Sequence, residues 1–132
     1  TPWFCGLHEK MYEKTNQELL LIPKYEKYME YMLEVILLKL PRTEKYSIGT
    51  EYKTIMYQTF KEIMFIEKLL KKERLYHLNI IDAGLNIQRA LLRIMKNNKW
   101  IDEKRFNYIM NTLIKEMGLI LGGLIKYYAK NR

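Results

Sequence analysis

His8, His77 and Cys5 carry the side chains best suited to metal ligation or nucleophilic attack, and the sequence scatters them. His8-Glu9 opens like a zinc-protease helix, but Tyr12 stands where the second histidine ligand would be. Two histidines and one cysteine far apart make a poor zinc set. Cys5 lacks a local nucleophile signature and reads as a partly buried thiol. Asp82 and Glu116 are carboxylates set among apolar residues. Either each pairs with a basic residue, inside the bundle or at a subunit contact, or the two form a metal-dependent site hidden in it. Di-iron bundles need Glu-x-x-His on two helices, and the sequence has no such motif. Gly122-Gly123 lies inside a helical pattern, not between a strand and a helix, so it is no phosphate cradle. The residues therefore predict no catalytic group, no cofactor and no metal.

Arginine spacing is more informative. Arg89 and Arg93 lie one helical turn apart and present two guanidiniums about 6 Å from each other along one ridge. With Lys96, Lys99 and Arg74 they form a stripe suited to following phosphates. Such contacts give affinity without sequence information. Asp82 is the only acid between Tyr76 and Lys99, whereas a helix that is merely soluble mixes signs. Arg42, Lys45 and Lys53 make a second basic group near the first connector. The net charge is +8, and the whole excess falls after residue 40. A polyanion partner, RNA or DNA, is the functional reading; ordinary solubility charge is the alternative. The eleven tyrosines have the faces to stack on bases, but tyrosine at helical spacing more often belongs to a core.

Four apolar periodicities position these groups. Tyr25, Tyr28, Met29, Met32, Val35, Ile36 and Leu40 recur at helical steps, with Pro23 suited to a first turn and Pro41 to an end. Leu7 to Ile22 reads as a separate short helix or as the front of one helix kinked at Pro23. Pro41 to Gly49 is a connector, with Ser47 or Thr50 as cap for a second helix through Tyr52, Ile55, Met56, Phe60, Ile63, Ile66 and Leu70. Lys71 to Arg74 is the next break. A third helix, about Tyr76 to Lys96, carries two stripes: Leu78, Ile81, Leu85, Leu92, Met95 and Ile80, Gly84, Ile87, Leu91, Ile94. So broad an apolar surface suits a helix that touches more than its own bundle. Gln88 falls on the narrow polar strip beside Arg89. Asp102 is the expected N-cap of a last helix through Phe106, Ile109, Leu113, Met117, Leu121 and Tyr128. No alternating strand pattern occurs. The expected fold is all-α: an antiparallel up-and-down four-helix bundle with a short N-terminal helical extension.

At 132 residues and 48% hydrophobic content the chain suits a single domain over residues 1–132, with 1–9 the loosest part. One cysteine excludes an intrachain disulfide and fits a reducing, cytoplasmic compartment. No secretory-signal pattern is present, and the strongly apolar runs Val35 to Leu38 and Leu119 to Ile125 are too short to span a bilayer. No membrane partner is expected.

Gly118, Gly122 and Gly123 interrupt the apolar pattern of the last helix, where each costs about 1 kcal/mol relative to Ala. They are expected to let another helix or a nucleic-acid backbone approach closely. Together with Leu19 to Lys24, Leu40-Pro41-Arg42, Tyr46 to Gly49, Leu91-Leu92-Arg93 and Ile101 to Tyr108, the ending Glu116-x-Gly118-x-x-x-Gly122-Gly123-x-x-Lys126 resembles the accessory variability determinant (Avd) family of diversity-generating retroelements. It is also similar to four-helix-bundle proteins of ribosomal RNA intervening sequences. Leu124 stands where that family often has Trp. The resemblance implies a non-enzymatic bundle that forms a homo-oligomer, a pentameric barrel. It implies binding to RNA or DNA without sequence preference, and action with a reverse transcriptase in mutagenic complementary DNA synthesis. The alternative is an oligomeric scaffold of the intervening-sequence type.

Overall fold

A computed structural model describes residues 20–131. Helix α1 occupies residues 20–39: α-helical at first, one π turn over Met32–Ile36, then a 3-10 end at Leu37–Lys39. Pro23 lies inside a helix already formed at residue 20. The expected helix before it falls, up to residue 19, outside the described residues. Leu40 is extended, as a residue before proline should be, and Pro41 ends the helix.

The expected connector is not plain loop. It holds a helical turn, α2 (Arg42–Lys45), and α3 (Ile48–Phe65) begins before Gly49. Neither proposed cap works as one. Ser47 Oγ donates to Glu44 Oε2 at 2.9 Å, and Thr50 Oγ1 donates back to Lys45 O at 3.3 Å. A 3-10 turn, Ile66–Lys68, closes α3.

Helix α4 (Lys71–Asn97) begins one turn earlier than its apolar pattern suggests. Lys71 to Arg74, expected as a break, form its first turn, and the chain turns instead at Leu69-Leu70. Glu73 makes this possible, because its carboxylate accepts the Leu70 N–H at 3.0 Å and satisfies an orphan donor. The far end closes with two backbone bonds, Trp100 N–H to Met95 O and Lys99 N–H to Lys96 O, both 2.9 Å. Lys99 takes the left-handed position of that motif at φ 62°. Asp102 caps the last helix as expected, accepting from Arg105 N–H at 2.7 Å. Helix α5 spans Glu103–Lys130 and carries a second π segment, Ile109–Ile114.

Cross-helix contacts fix the topology. Tyr28 meets Tyr52 between α1 and α3, Glu62 meets His77 between α3 and α4, Arg74 meets Tyr128 between α4 and α5, and Lys24 meets Glu116 between α1 and α5. A second contact in each interface, Tyr25–Met56, Thr59–Gln88, Lys96–Glu103 and Tyr31–Tyr108 respectively, shows one number rising as the other falls, so every neighbouring pair runs antiparallel. The chain is an all-α, up-and-down four-helix bundle, with no strand among the described residues.

Tyr25, Tyr28, Met32, Tyr52, Met56, Leu78, Ile81, Leu85, Leu92, Met95, Ile109, Met117 and Leu121 are fully buried at its centre. The first α4 stripe is therefore core. The second is split: Gly84 is buried and Leu91 packs on the core, while Ile80, Ile87 and Ile94 remain 37%, 47% and 46% exposed. Gln88 corrects the sequence reading most sharply. It is completely buried, not on the polar strip. Its amide donates to Tyr25 Oη at 3.1 Å and Thr59 Oγ1 at 3.4 Å, and its carbonyl accepts from Tyr28. Tyr25 donates onward to Met56 O at 2.8 Å. Among the described residues no buried side-chain polar atom lacks a partner.

Gly84 permits the closest helix approach. A Cβ there would stand 2.2 Å from Thr59 Oγ1. Gly84→Ala is thus expected to destabilise by about 1–3 kcal/mol through overpacking, and by less in a Thr59→Ala background, checked by denaturant titration of the double-mutant cycle. Burial holds the phenols of Tyr25, Tyr28 and Tyr52 well above their ordinary range. The unfolded chain can release those protons near pH 10 and the folded one cannot. Stability is accordingly complete below pH 10 and falls above it, by about 1.4 kcal/mol per pH unit for each of the three. Phenolate absorbance of the folded protein should miss these three tyrosines until the helices melt.

Candidate nucleic-acid interface

Helix α4 presents Arg89 and Arg93 outward, but the two differ. Arg93 is exposed and Arg89 is half-buried. The Arg89 guanidinium donates from Nη1 to Asn86 Oδ1 at 2.6 Å, while Nη2 lies over Gly118 of α5, 2.9 Å from where a Cβ would be. Gly118 thus seats an arginine; it does not bring a second helix close. This half-fixed guanidinium keeps donors free along the α4–α5 seam.

Lys96 and Arg74 do not join a free stripe. Lys96 Nζ stands 3.8 Å from Glu103 Oε1 and 4.8 Å from the Phe106 ring centre, tying the end of α4 to the start of α5. Arg74 lies about 22 Å back along α4 from Arg89 at 1.5 Å per residue. Its guanidinium donates to Leu69 O at 3.1 Å and to Tyr128 Oη at 2.8 Å, fastening the opposite end of the bundle.

Arg42, Lys45 and Lys53 are all exposed. Antiparallel topology puts α2, with Arg42 and Lys45, at the same end of the bundle as the loop that joins α4 to α5. Lys39 of α1 lines one cavity there with Trp100, Asp102 and Arg105. The two basic groups read separately in the sequence therefore belong partly to one end, which Lys39, Lys99, Lys104 and Arg105 extend. The sequence reading missed Lys104 and Arg105, because next to Asp102 and Glu103 they look like a neutral run.

Gly122 and Gly123 meet nothing within 4 Å at their Cβ positions. Inside the protomer, then, neither permits close helix packing. Leu119 beside them is 68% exposed. On the other flank of α4, an open groove of about 540 Å³ runs between α3 and α4, lined by Ile55, Phe65, Ile80, Ala83 and Ile87. Two separate apolar surfaces thus face outward.

The carboxylates offer no convergent chemistry. Glu116 is exposed and pairs with Lys24 at 3.3 Å, and Asp82 is half-buried on α4. His77 Nδ1 lies 2.7 Å from Glu62 Oε2. Among the described residues no three metal-ligating side chains converge. Helix α5 as a whole is long and apolar enough to cross a membrane, although its run Leu119 to Ile125 alone is not. Phe106, Ile109, Leu113, Met117, Leu121, Leu124 and Tyr128 spend one face of it on the bundle core, and the core helix of a bundle has the same composition.

The model of the bAvd-like family matches residues 19–128, which spans the four long helices up to the last two residues of α5 and includes Arg89, Arg93 and Gly118, Gly122 and Gly123. The chain belongs to the bAvd-like family. Comparison with curated proteins gives no match, and neither does comparison with solved structures. In this bAvd-like bundle, Arg93 stands exposed on the α4 ridge, Arg42 and Lys45 stand exposed on α2, and apolar surface is exposed on both sides of α4.

Proposed function

We propose that this protein is a non-enzymatic, homo-oligomeric accessory subunit of a diversity-generating retroelement. It holds RNA or DNA by charge, without sequence preference, while a partner reverse transcriptase makes mutagenic complementary DNA. The observation that carries the reading is family membership over residues 19–128 in a chain of net charge +8. Arg89 and Arg93 are the first phosphate contacts, and Arg42, Lys45 and Lys53 the second. Lys96 contributes less directly, since Glu103 shares its charge. A cytoplasmic setting fits this role.

Two unlike apolar surfaces on one protomer favour head-to-tail contact, which forms a ring where the rotation between neighbours closes. The α3–α4 groove receiving the Leu119 to Gly123 face of a neighbour would make one, with five copies as the family resemblance implies. Gly122 and Gly123 leave room there for the neighbour's side chains. The same surfaces also favour a second reading, an oligomeric scaffold whose charge serves only solubility.

Binding to a 20-base-pair duplex should weaken steeply with salt, and the Arg89→Ala, Arg93→Ala double variant should flatten the log–log slope by about one to two ions. An unchanged slope and affinity would reduce the two arginines to surface charge. Absence of any shift with RNA or DNA in dilute buffer would favour the scaffold. For assembly, Gly122→Leu and Ile87→Glu should each lower the mass measured by light scattering, with helicity retained. An unchanged mass in both would remove these faces from the interface.

A further inference from the structure

At the connector end of the bundle, the rings of Tyr31 on α1 and Tyr108 on α5 meet edge to face, 5.1 Å apart. They wall an open cleft of about 390 Å³, completed by Asp102, Lys104 and Arg105. That volume falls in the small-ligand range, about 300–1,000 Å³. Tyr108 is 38% exposed and lines the cleft. Asp102 accepts from Arg105 Nη1 at 3.0 Å, and Tyr31 lines the same cleft as Arg105. The guanidinium is thus held in place with further N–H donors to spare. Its charge offsets that of Asp102, which leaves Lys104 as the net positive charge of the cleft. The adjoining cavity shares Asp102 and Arg105 and adds Trp100 and Lys39.

The backbone marks the same place independently. Tyr31 is the residue before the π turn Met32–Ile36, and Tyr108 is the residue before the π segment Ile109–Ile114. Single π turns in α-helices concentrate at functional sites, because each inserts one residue and re-aims the side chains around it. Two helices that re-aim at the same level, on either side of one aromatic pair, point to a built cleft.

From this juxtaposition we propose that the Tyr31–Tyr108 cleft binds an unpaired nucleotide of a single-stranded RNA or DNA. The base stacks on the exposed part of the Tyr108 ring, and its phosphate lies on Arg105 and Lys104. A base inside a duplex cannot reach that ring, so the cleft distinguishes single strands from duplexes, which the Arg89–Arg93 ridge does not. This rests on the nucleic-acid reading above and adds a strand preference to it. Stacking on an aromatic ring tolerates any base.

The test uses the full chain carrying Trp3→Phe, in which Trp100 beside the cleft is the sole tryptophan. A 12-nucleotide single strand should quench Trp100 fluorescence and a 12-base-pair duplex should not. Tyr108→Ala should weaken single-strand binding about tenfold, leaving duplex binding and its salt slope unchanged, and Tyr108→Phe should restore it. Lys104→Ala should lower the single-strand salt slope by about one ion. If Tyr108→Ala binds both forms like the parent, the cleft proposal is wrong while charge-based binding stands. If Tyr108→Phe binds the single strand as weakly as Tyr108→Ala, the ring acts through its hydroxyl and base stacking is overturned. If neither form binds in dilute buffer, the cleft and the wider nucleic-acid reading fall together.

Discussion

One amide holds the register of this bundle. Gln88 sits where water does not reach, and its carboxamide finds partners on two other helices: Tyr25 and Tyr28 on α1, Thr59 on α3. Leucines and methionines alone would tolerate sliding, since apolar contact has no direction. A buried amide does not, because any shift leaves a donor or acceptor unpaired at a cost of about 1–3 kcal/mol. Tyr52 joins through Tyr28, and Tyr25 reaches a backbone carbonyl of α3. The consequence runs outward. Gln88 and Arg89 are sequence neighbours, so locking the first inside the core aims the second along the seam with α5.

Glycine has three meanings here, and spacing alone does not separate them. At Gly84 the missing side chain lets Thr59 of α3 come against α4. At Gly118 it seats a guanidinium. Gly122 and Gly123 face open space, so in the lone protomer they lose helix propensity without a packing return. Ile80, Ile87 and Ile94 of α4 are exposed at seven-residue spacing along one side of the same bundle.

Helix count, order and core faces were legible in the sequence because the periodicities of Tyr25 to Leu40, Tyr52 to Ile66 and Leu78 to Met95 are strong and unbroken. Asp102 was legible as a cap by its position before a charged first turn. Three features were hidden by composition. Lys71 to Arg74 looked like a loop, because one carboxylate at Glu73 reverses the meaning of three cations. Gln88 looked like surface, because a single amide on the boundary of an apolar stripe has no periodic signature. Lys96 looked free, because its partners, Glu103 and Phe106, lie across a turn. The Tyr31–Tyr108 cleft was invisible for a similar reason: it joins residues 77 positions apart, on two helices whose local winding departs from 3.6.

The π turns carry a consequence for how such a chain changes over time. Each holds one residue more than an ordinary helical stretch of the same rise. Loss of one residue within 109–114 would therefore relax α5 to regular winding and leave Met117, Leu121 and Tyr128 in phase with the core. The same loss a few positions downstream would rotate everything after it by about 100° and turn those side chains to water. Length variation among descendants of this sequence should accumulate at these two wide turns, next to the aromatic pair, and be purged elsewhere in the helices.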